Sequence, residues 1–156
     1  MQKSCSCPCG DSEIIVKGSP VIRFICHCKI CQKVYRNSFA DIVAVRSNQV
    51  VTPTEPTILF AKHRYPPAVN RGVCPSCNNP VVAFLPLAPF FGIAFIPAAN
   101  FSEGAELPEP VLHSFYDRRV DDVDDQLPKS NGYWPSQWAF TSRFVATIFR
   151  ADQGSA

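Results

Sequence analysis

The densest group of reactive side chains lies in the segment ICHCKIC at 25–31, which carries three cysteines and one histidine. Thiolate and imidazole groups are ligands that zinc prefers in proteins. The eight cysteines of the chain form three groups, which are Cys5, Cys7 and Cys9; Cys26, Cys28 and Cys31; and Cys74 and Cys77. So many soft ligands at close spacing indicate either disulfides or metal sites.

The expected compartment decides between these two chemistries. The N-terminal sequence MQKSCSCPCG lacks the apolar segment of a signal peptide, so we expect a cytoplasmic protein. In that reducing compartment clustered thiols bind metal more often than they form disulfides. Adjacent C-x-C pairs are also poorly placed to form intramolecular disulfides. The sequence therefore predicts zinc binding.

The sequence VCPSCNNP, with Cys74 and Cys77, has the form of a zinc knuckle. A C-x2-C turn aims two sulfurs at one point, and a structural zinc site needs four ligands in a tetrahedron. A C-x-C pair on an extended segment could supply the other two ligands, because alternate residues of a strand point to the same face. The candidates for this second pair are Cys7 with Cys9, followed by Gly10, and Cys26 with Cys28.

The choice between these pairs decides whether one metal site is open. If the N-terminal pair joins the knuckle, the remaining set of Cys26, Cys28 and Cys31 has the three protein ligands and the vacancy of a catalytic zinc site. Cys5 could fill that vacancy only if the backbone reversed sharply between positions 5 and 7, so we predict an open site. His27 would point to the opposite side of the strand, and we expect it to be a packed or surface histidine.

The elements that must position these cysteines are predicted to be strands. Short apolar, β-branched segments separated by turn residues indicate an all-β domain of antiparallel strands. These segments span 12–18, 20–26, 39–45, 57–63, 81–87, 91–98 and 111–117. Residues 28–35 could form one helical turn, and an apolar stripe at i, i+4 spacing predicts a short C-terminal helix over about 136–150. We expect a single domain over 1–156, with a core at about 5–130.

Charge and apolar content exclude two classes of partner. The net charge is +2, and the basic residues form no run that would follow a phosphate backbone, so we expect no nucleic-acid partner. The acidic segment DRRVDDVDD at 117–125 is interpreted as a solvated loop. The uncharged stretch 72–102 is long enough to cross a bilayer, but its prolines at 86, 89 and 97 would break a helix. We therefore expect buried strands there and no membrane partner.

The order of the cysteine motifs resembles the glutathione-dependent formaldehyde-activating enzyme family, which also contains the CENP-V-like proteins. The motifs are C-x-C-G, C-H-C-x-x-C and C-P-x-C, and the resemblance extends to CQKVYRNSFA, RGVCPSC and LHSFYDRRVDDVDDQLP. It implies an Mss4-like fold of antiparallel sheets. It also implies one structural zinc held by four cysteines and one catalytic zinc held by three. Because an open three-thiolate site should hold its metal more weakly than a closed four-thiolate one, we expect the second zinc to be only partly occupied.

The resemblance implies a role for each cysteine by its position. The structural zinc ligands would be Cys7, Cys9, Cys74 and Cys77. Gly10 follows the second thiol, as in the family motif, and so selects Cys7 and Cys9 over Cys5 and Cys7. The catalytic zinc ligands would be Cys26, Cys28 and Cys31. Cys5 is additional to the family pattern.

The chain departs from the family pattern at two further points. Arg36 stands where many relatives have glycine, and Asn78 and Asn79 replace the usual Gly-Thr or Gly-Ser. Asn at the first of these two positions is a mild change, since it tolerates a left-handed conformation. Cations near the three-cysteine group would anchor the two carboxylates of glutathione, and the candidates are Lys29, Lys33 and Arg36.

The implied reaction joins glutathione to formaldehyde or a related small aldehyde, as S-(hydroxymethyl)glutathione synthase does, which is a carbon–sulfur lyase activity. The main alternative is a non-catalytic zinc-binding module for protein or nucleic-acid interaction. A lesser alternative is an iron–thiolate electron carrier, which would need four cysteines around one metal ion.

Overall fold

The computed structural model describes residues 2–55, 57–64, 69–88 and 91–155, with the main chain alone at 87 and 88. The elements of these residues are β1 (Gln2–Ser6), β2 (Glu13–Lys17), β3 (Ile22–Cys26), α1 (Lys29–Tyr35), β4 (Ala40–Arg46), β5 (Val50–Val51), β6 (Leu59–Lys62), β7 (Asn70–Val73), β8 (Pro80–Ala88), β9 (Phe91–Pro97), β10 (Pro110–Ser114) and α2 (Tyr133–Gly154). The predicted all-β class with a C-terminal helix is confirmed.

The first of two compact units comprises the residues up to Pro20 together with Val43–Leu107. It contains an antiparallel sheet in the order β1-β2-β5 and the antiparallel strands β6 to β9, which pair in sequence order. Its core consists mainly of β-branched side chains, among them Ile14, Val16, Val43, Val45, Val81 and Ile96. Because β1 runs toward Cys7 and β7 runs into Cys74, these strands set the positions of the first cysteine group.

The second unit comprises Val21–Ile42 and the residues from Pro108 onward. In this unit β10 pairs with β3 in parallel, which differs from the antiparallel pairing predicted throughout. Helix α2 packs against both strands. The ring of Phe140 lies 4.9 Å from that of Phe24 and 5.6 Å from that of Phe144, measured between centroids. The second cysteine group lies where β3 ends and α1 begins.

The sequence predicts most of the strands but not all of them. Each of the seven predicted segments overlaps an observed strand. The strands β1, β5 and β7 were not predicted, because QKSCS and NRGV are polar and VV is only two residues long. The uncharged stretch forms β8 and β9, which pair antiparallel. Residues 89–90 between them lie outside the described residues.

Both helices are longer than predicted. α1 covers seven residues rather than one turn, and α2 begins at Tyr133 and ends at Gly154. Among the described helices, none combines the length and apolar character that crossing a membrane requires. The expectation of a single domain over 1–156 stays a prediction.

Candidate metal centres

Four cysteines of the first unit converge on one point. All their Sγ atoms lie within 4.8 Å of one another. The Sγ–Sγ distance is 3.4 Å from Cys7 to Cys9 and 3.7 Å from Cys9 to Cys74. Zinc bound to sulfur at about 2.3 Å in a tetrahedron separates its ligand atoms by about 3.8 Å. The four-cysteine group, which is Cys7, Cys9, Cys74 and Cys77, could therefore hold a metal ion.

A tight turn after β1 brings the first two of these thiols together. The backbone N–H of Cys7 donates to the carbonyl of Ser12, and that of Gly10 donates to the carbonyl of Cys7, both with N···O distances of 3.0 Å. Gly10 has a φ of +83°, in the left-handed region that favours glycine. Ser12 also donates its N–H to the Sγ of Cys7 at 3.4 Å. Because β1 ends at Ser6, a turn pairs the two sulfurs, rather than the extended segment that was predicted.

The loop from Cys74 to Asn79 is the predicted knuckle. The N–H of Asn78 donates to the carbonyl of Cys74 at 2.8 Å, and the N–H of Cys74 donates to the carbonyl of Asn79 at 2.9 Å. Asn78 has a φ of +62°, the left-handed conformation expected of it. Hydrogen bonds from the side-chain and backbone amides of Asn79 lower the pKa of Cys77 to about 6. This thiol therefore ionises near neutral pH, which favours metal binding.

Cys5 belongs to neither cysteine group. Its side chain is buried in the core of the first unit, and its backbone forms an isolated bridge with Phe101. Burial raises the pKa of Cys5 to about 12. Such a thiol stays protonated at neutral pH and acts as a small apolar side chain. Cys5 lies outside the three thiols Cys26, Cys28 and Cys31 that converge in the CHCKIC segment, and the openness of that site stays a prediction.

The three-cysteine group, which is Cys26, Cys28 and Cys31, also has its Sγ atoms within 4.8 Å of one another. Cys26 is the last residue of β3, and Cys28 is the N-cap of α1. The Sγ of Cys28 accepts the N–H of Cys31 at 3.3 Å, so the strand end and the first helical turn aim all three sulfurs at one point. No fourth His, Cys, Asp or Glu joins this group among residues 2–55, 57–64, 69–88 and 91–155.

Two thiols of the three-cysteine group hold their protons more tightly than an ordinary cysteine. Hydrogen bonding to Cys28 raises the pKa of Cys26 to about 12, and hydrogen bonds to Cys26 and Cys28 raise the pKa of Cys31 as well. Cys26 and Cys31 are buried, whereas Cys28 is half-buried. A cation that binds these sulfurs would have to displace their protons.

A chain of polar side chains adjoins the three-cysteine group. The Nε2 atom of the buried His27 lies 2.8 Å from Nδ1 of His113, whose Nε2 lies 2.7 Å from a carboxylate oxygen of Asp125. The ammonium group of Lys129 donates to Asp125 at 2.7 Å, and Lys129 and His113 together hold the pKa of Asp125 well below its usual range. Because ionised Asp125 accepts the Nε2 proton of His113, a neutral His113 accepts from His27.

The backbone of His27 is hydrogen-bonded as well as its side chain. Its N–H donates to the carbonyl of Ser114 at 3.0 Å. The side-chain amide of Gln32 donates to the carbonyls of His27 and Arg118, at 2.6 and 2.8 Å. Burial and the neighbouring His113 lower the pKa of His27 to about 4, so its ring is neutral at pH 7. The expectation of a packed histidine is confirmed.

Sequence reasoning missed the partners of His27. The segment 117–125 was interpreted as a solvated loop, and all of its residues are exposed or half-buried. Its last residue, Asp125, nevertheless belongs to the chain of polar side chains with His113 and Lys129. His27 and His113 are 86 positions apart, so no local pattern could reveal their contact.

The three predicted substrate anchors lie on or next to α1. Lys29 and Lys33 are exposed on the helix, and Arg36 follows its end as the C-cap. Arg36 has a φ of +50° and donates its N–H to the carbonyl of Gln32. The position is therefore one that favours glycine. Whether these cations anchor a substrate stays a prediction.

Fold and sites together define an all-β protein with one four-cysteine and one three-cysteine group, each able to hold a metal ion. The chain belongs to the glutathione-dependent formaldehyde-activating enzyme family, whose sequence model matches residues 2–118. The matched region includes all eight cysteines and His113 and ends before α2. A comparison with curated proteins found no match.

Proposed function

We propose that this protein is a zinc-dependent carbon–sulfur lyase that joins glutathione to formaldehyde or a related small aldehyde. The observation that carries the proposal is the convergence of Cys26, Cys28 and Cys31 with no fourth protein ligand among the described residues. Three protein ligands with one open position are typical of catalytic zinc sites. The family supports the class of substrate.

The two cysteine groups have different roles in this proposal. The four-cysteine group holds a structural zinc, since four thiolates complete a tetrahedron and leave no position for a substrate. The three-cysteine group holds the catalytic zinc, more weakly and with partial occupancy. The half-buried Cys28 marks the side of that group from which a substrate thiol could approach.

The charge of the three-cysteine group fits a thiol substrate. Three thiolates around Zn²⁺ leave a net charge of −1, which disfavours the activation of water and suits a fourth sulfur ligand. When bound, the metal would keep the glutathione sulfur deprotonated at neutral pH, where a free thiol has a pKa of about 8.5. In the addition a sulfur–carbon bond forms at the carbonyl carbon, and the carbonyl oxygen takes up a proton. The cysteines contribute mainly by holding the reactants close together.

Cations beside the three-cysteine group would orient glutathione through its carboxylates. Lys29 directly follows Cys28, and Lys33 lies one helical turn further along α1. Arg36 adds a third cation at the end of the same helix. The expected compartment is the reducing cytoplasm, where glutathione and the cysteine ligands both stay reduced.

Cobalt substitution tests whether the second metal site is open. Co²⁺ replaces Zn²⁺ in both cysteine groups, and the sulfur-to-metal charge-transfer and d–d absorption bands are recorded while glutathione is added. We expect the wild-type protein to gain sulfur ligation at one of its two metal ions. Because Cys5 is not a ligand, Cys5→Ser should give the same titration.

Two results would contradict the proposal. The first is a spectrum that shows two complete tetrathiolate sites before glutathione is added, one of which is lost in Cys5→Ser. The second is a spectrum that glutathione does not change at any concentration, which would favour a non-catalytic zinc module. Formation of S-(hydroxymethyl)glutathione, followed by NMR with ¹³C-labelled formaldehyde, then tests the reaction itself.

A further inference from the structure

One face of α2 is apolar and exposed. Trp134 and Trp138 are 77% and 75% exposed, Phe149 is 62% exposed, and Val145 is 37% exposed. Their spacings of four, seven and four residues place them along a single stripe of the helix. The stripe plays no part in the core of the second unit, which α2 joins through Phe140 and Phe144.

Between residues 134 and 149 this exposed face also lacks charge. The exposed positions of α2 from 134 to 149 are Trp134, Pro135, Trp138, Thr141, Ser142, Val145, Ala146 and Phe149. The solvent-facing side of a helix normally carries charged and polar residues, and large apolar patches on a protein surface mark sites of interaction. The face therefore has the composition of an interface.

We propose that this stripe binds the same stripe of a second copy of the chain, with the two α2 helices antiparallel about a two-fold axis. In such an interface each residue meets its counterpart across the axis. A crossing point at Thr141 and Ser142 would place Trp138 against Val145 of the second copy, and Trp134 against Phe149. The small side chains at the crossing let the helices approach, while the large ones fill the space on either side.

The available area suits such a dimer. Aromatic side chains bury about 150–250 Å² each, so three that are largely exposed, with their small neighbours, offer about 500 Å² per copy. Two copies would bury about 1,000 Å², which is close to the lower limit for a specific interface. The expected affinity is therefore micromolar rather than nanomolar.

The chain offers an internal reporter for this interface. Trp134 and Trp138 are its only two tryptophans, so tryptophan fluorescence, excited selectively, reports on the stripe alone. Dilution from about 100 μM to about 0.1 μM brackets the expected dissociation constant. We expect the emission to shift to longer wavelength over this range, because water replaces the partner helix. Sedimentation equilibrium at the same concentrations should show a dimer converting to a monomer.

Substitutions locate the contact. Trp138→Ser should raise the dimer dissociation constant at least tenfold, because a central tryptophan contributes strongly to an interface. Phe149→Ser should also raise it, although it lies eleven residues away along the helix. Val120→Ser, which changes a 58% exposed side chain outside α2, should leave the constant unchanged. Circular dichroism verifies that each variant retains its helix.

Two outcomes would overturn this proposal. One is a wild-type protein that remains monomeric at about 100 μM, well above the expected dissociation constant. The other is a monomer whose fluorescence shifts to shorter wavelength when vesicles of phosphatidylcholine and phosphatidylserine are added, since the stripe would then dock on a lipid surface.

Discussion

The hydrogen-bonded chain from His27 through His113 to Asp125 holds a neutral imidazole between two candidate metal ligands. Both histidines are buried, and the distances along the chain are 2.8 and 2.7 Å. A buried polar group that loses its only partner costs about 1–3 kcal/mol. These hydrogen bonds between side chains therefore contribute to stability and restrain the segment between Cys26 and Cys28.

Replacing the central histidine should break this chain. We expect His113→Leu to lower the free energy of unfolding by about 1–3 kcal/mol, because a polar atom of His27 loses its buried partner. Denaturant unfolding followed by circular dichroism measures the change. The control is Asp122→Asn, which breaks the surface ion pair with Arg119 and should cost about 0–1 kcal/mol. Equal losses of unfolding free energy in the two variants would show that the hydrogen bonds of His113 contribute no more than a surface ion pair.

Backbone conformation at single residues could be predicted only in part. Asn78 adopts the left-handed conformation that asparagine tolerates. Arg36 is also left-handed, but its residue type gives no indication of this. Glycine is informative because it lacks a Cβ atom, and arginine carries no comparable information.

At the scale of elements, the two cysteine groups differ in how much chain they connect. In the four-cysteine group, the thiols of Cys9 and Cys74 lie 65 positions apart. The three-cysteine group spans only 26–31, between the end of β3 and the first turn of α1. A metal ion in the first group would close a long loop that is costly to order without it, whereas one in the second would restrain little chain.

Serine substitutions should therefore have unequal effects on folding. We expect Cys74→Ser to give insoluble or unfolded protein, because the long loop loses its metal closure. Cys28→Ser should stay folded while losing the metal ion of its own group. Soluble yield, zinc content and thermal unfolding measure both effects. Unfolding of Cys28→Ser to the same extent as Cys74→Ser would invalidate the division into structural and catalytic sites.

The strands that the sequence reveals are those with apolar patterns. β4 and β9 are rich in buried Val, Ile and Ala, and their patterns are clear. β1 and β7 are mostly polar, and they form because neighbouring strands pair with them rather than because of their own propensity. The parallel pairing of β10 with β3 was also missed, since pairing direction depends on contacts distant in sequence.

At the scale of the whole molecule, each compact unit contains one of the two cysteine groups. The four-cysteine group lies entirely in the first unit, and the three-cysteine group lies entirely in the second. The order of the cysteine motifs indicated which cysteines form each group. The three-cysteine group is local in sequence, and the four-cysteine group follows the motif pattern of the family. The chain from His27 to Asp125 was not foreseeable, because it depends on the folded second unit.

Stepwise removal of metal should distinguish the two groups. We expect the zinc-loaded protein to lose one ion per chain first, from the three-cysteine group, since three protein ligands hold zinc less firmly than four. This loss should leave the far-ultraviolet circular dichroism unchanged. Loss of the second ion should coincide with unfolding, because the four-cysteine group closes the 65-residue separation. A chromophoric chelator and circular dichroism, recorded on the same sample, measure the two events.

Cys28→Ser serves as the control for this stepwise metal removal and should show only the second event. Release of both ions in one phase, or unfolding with the first, would mean that the two groups do not differ as we propose.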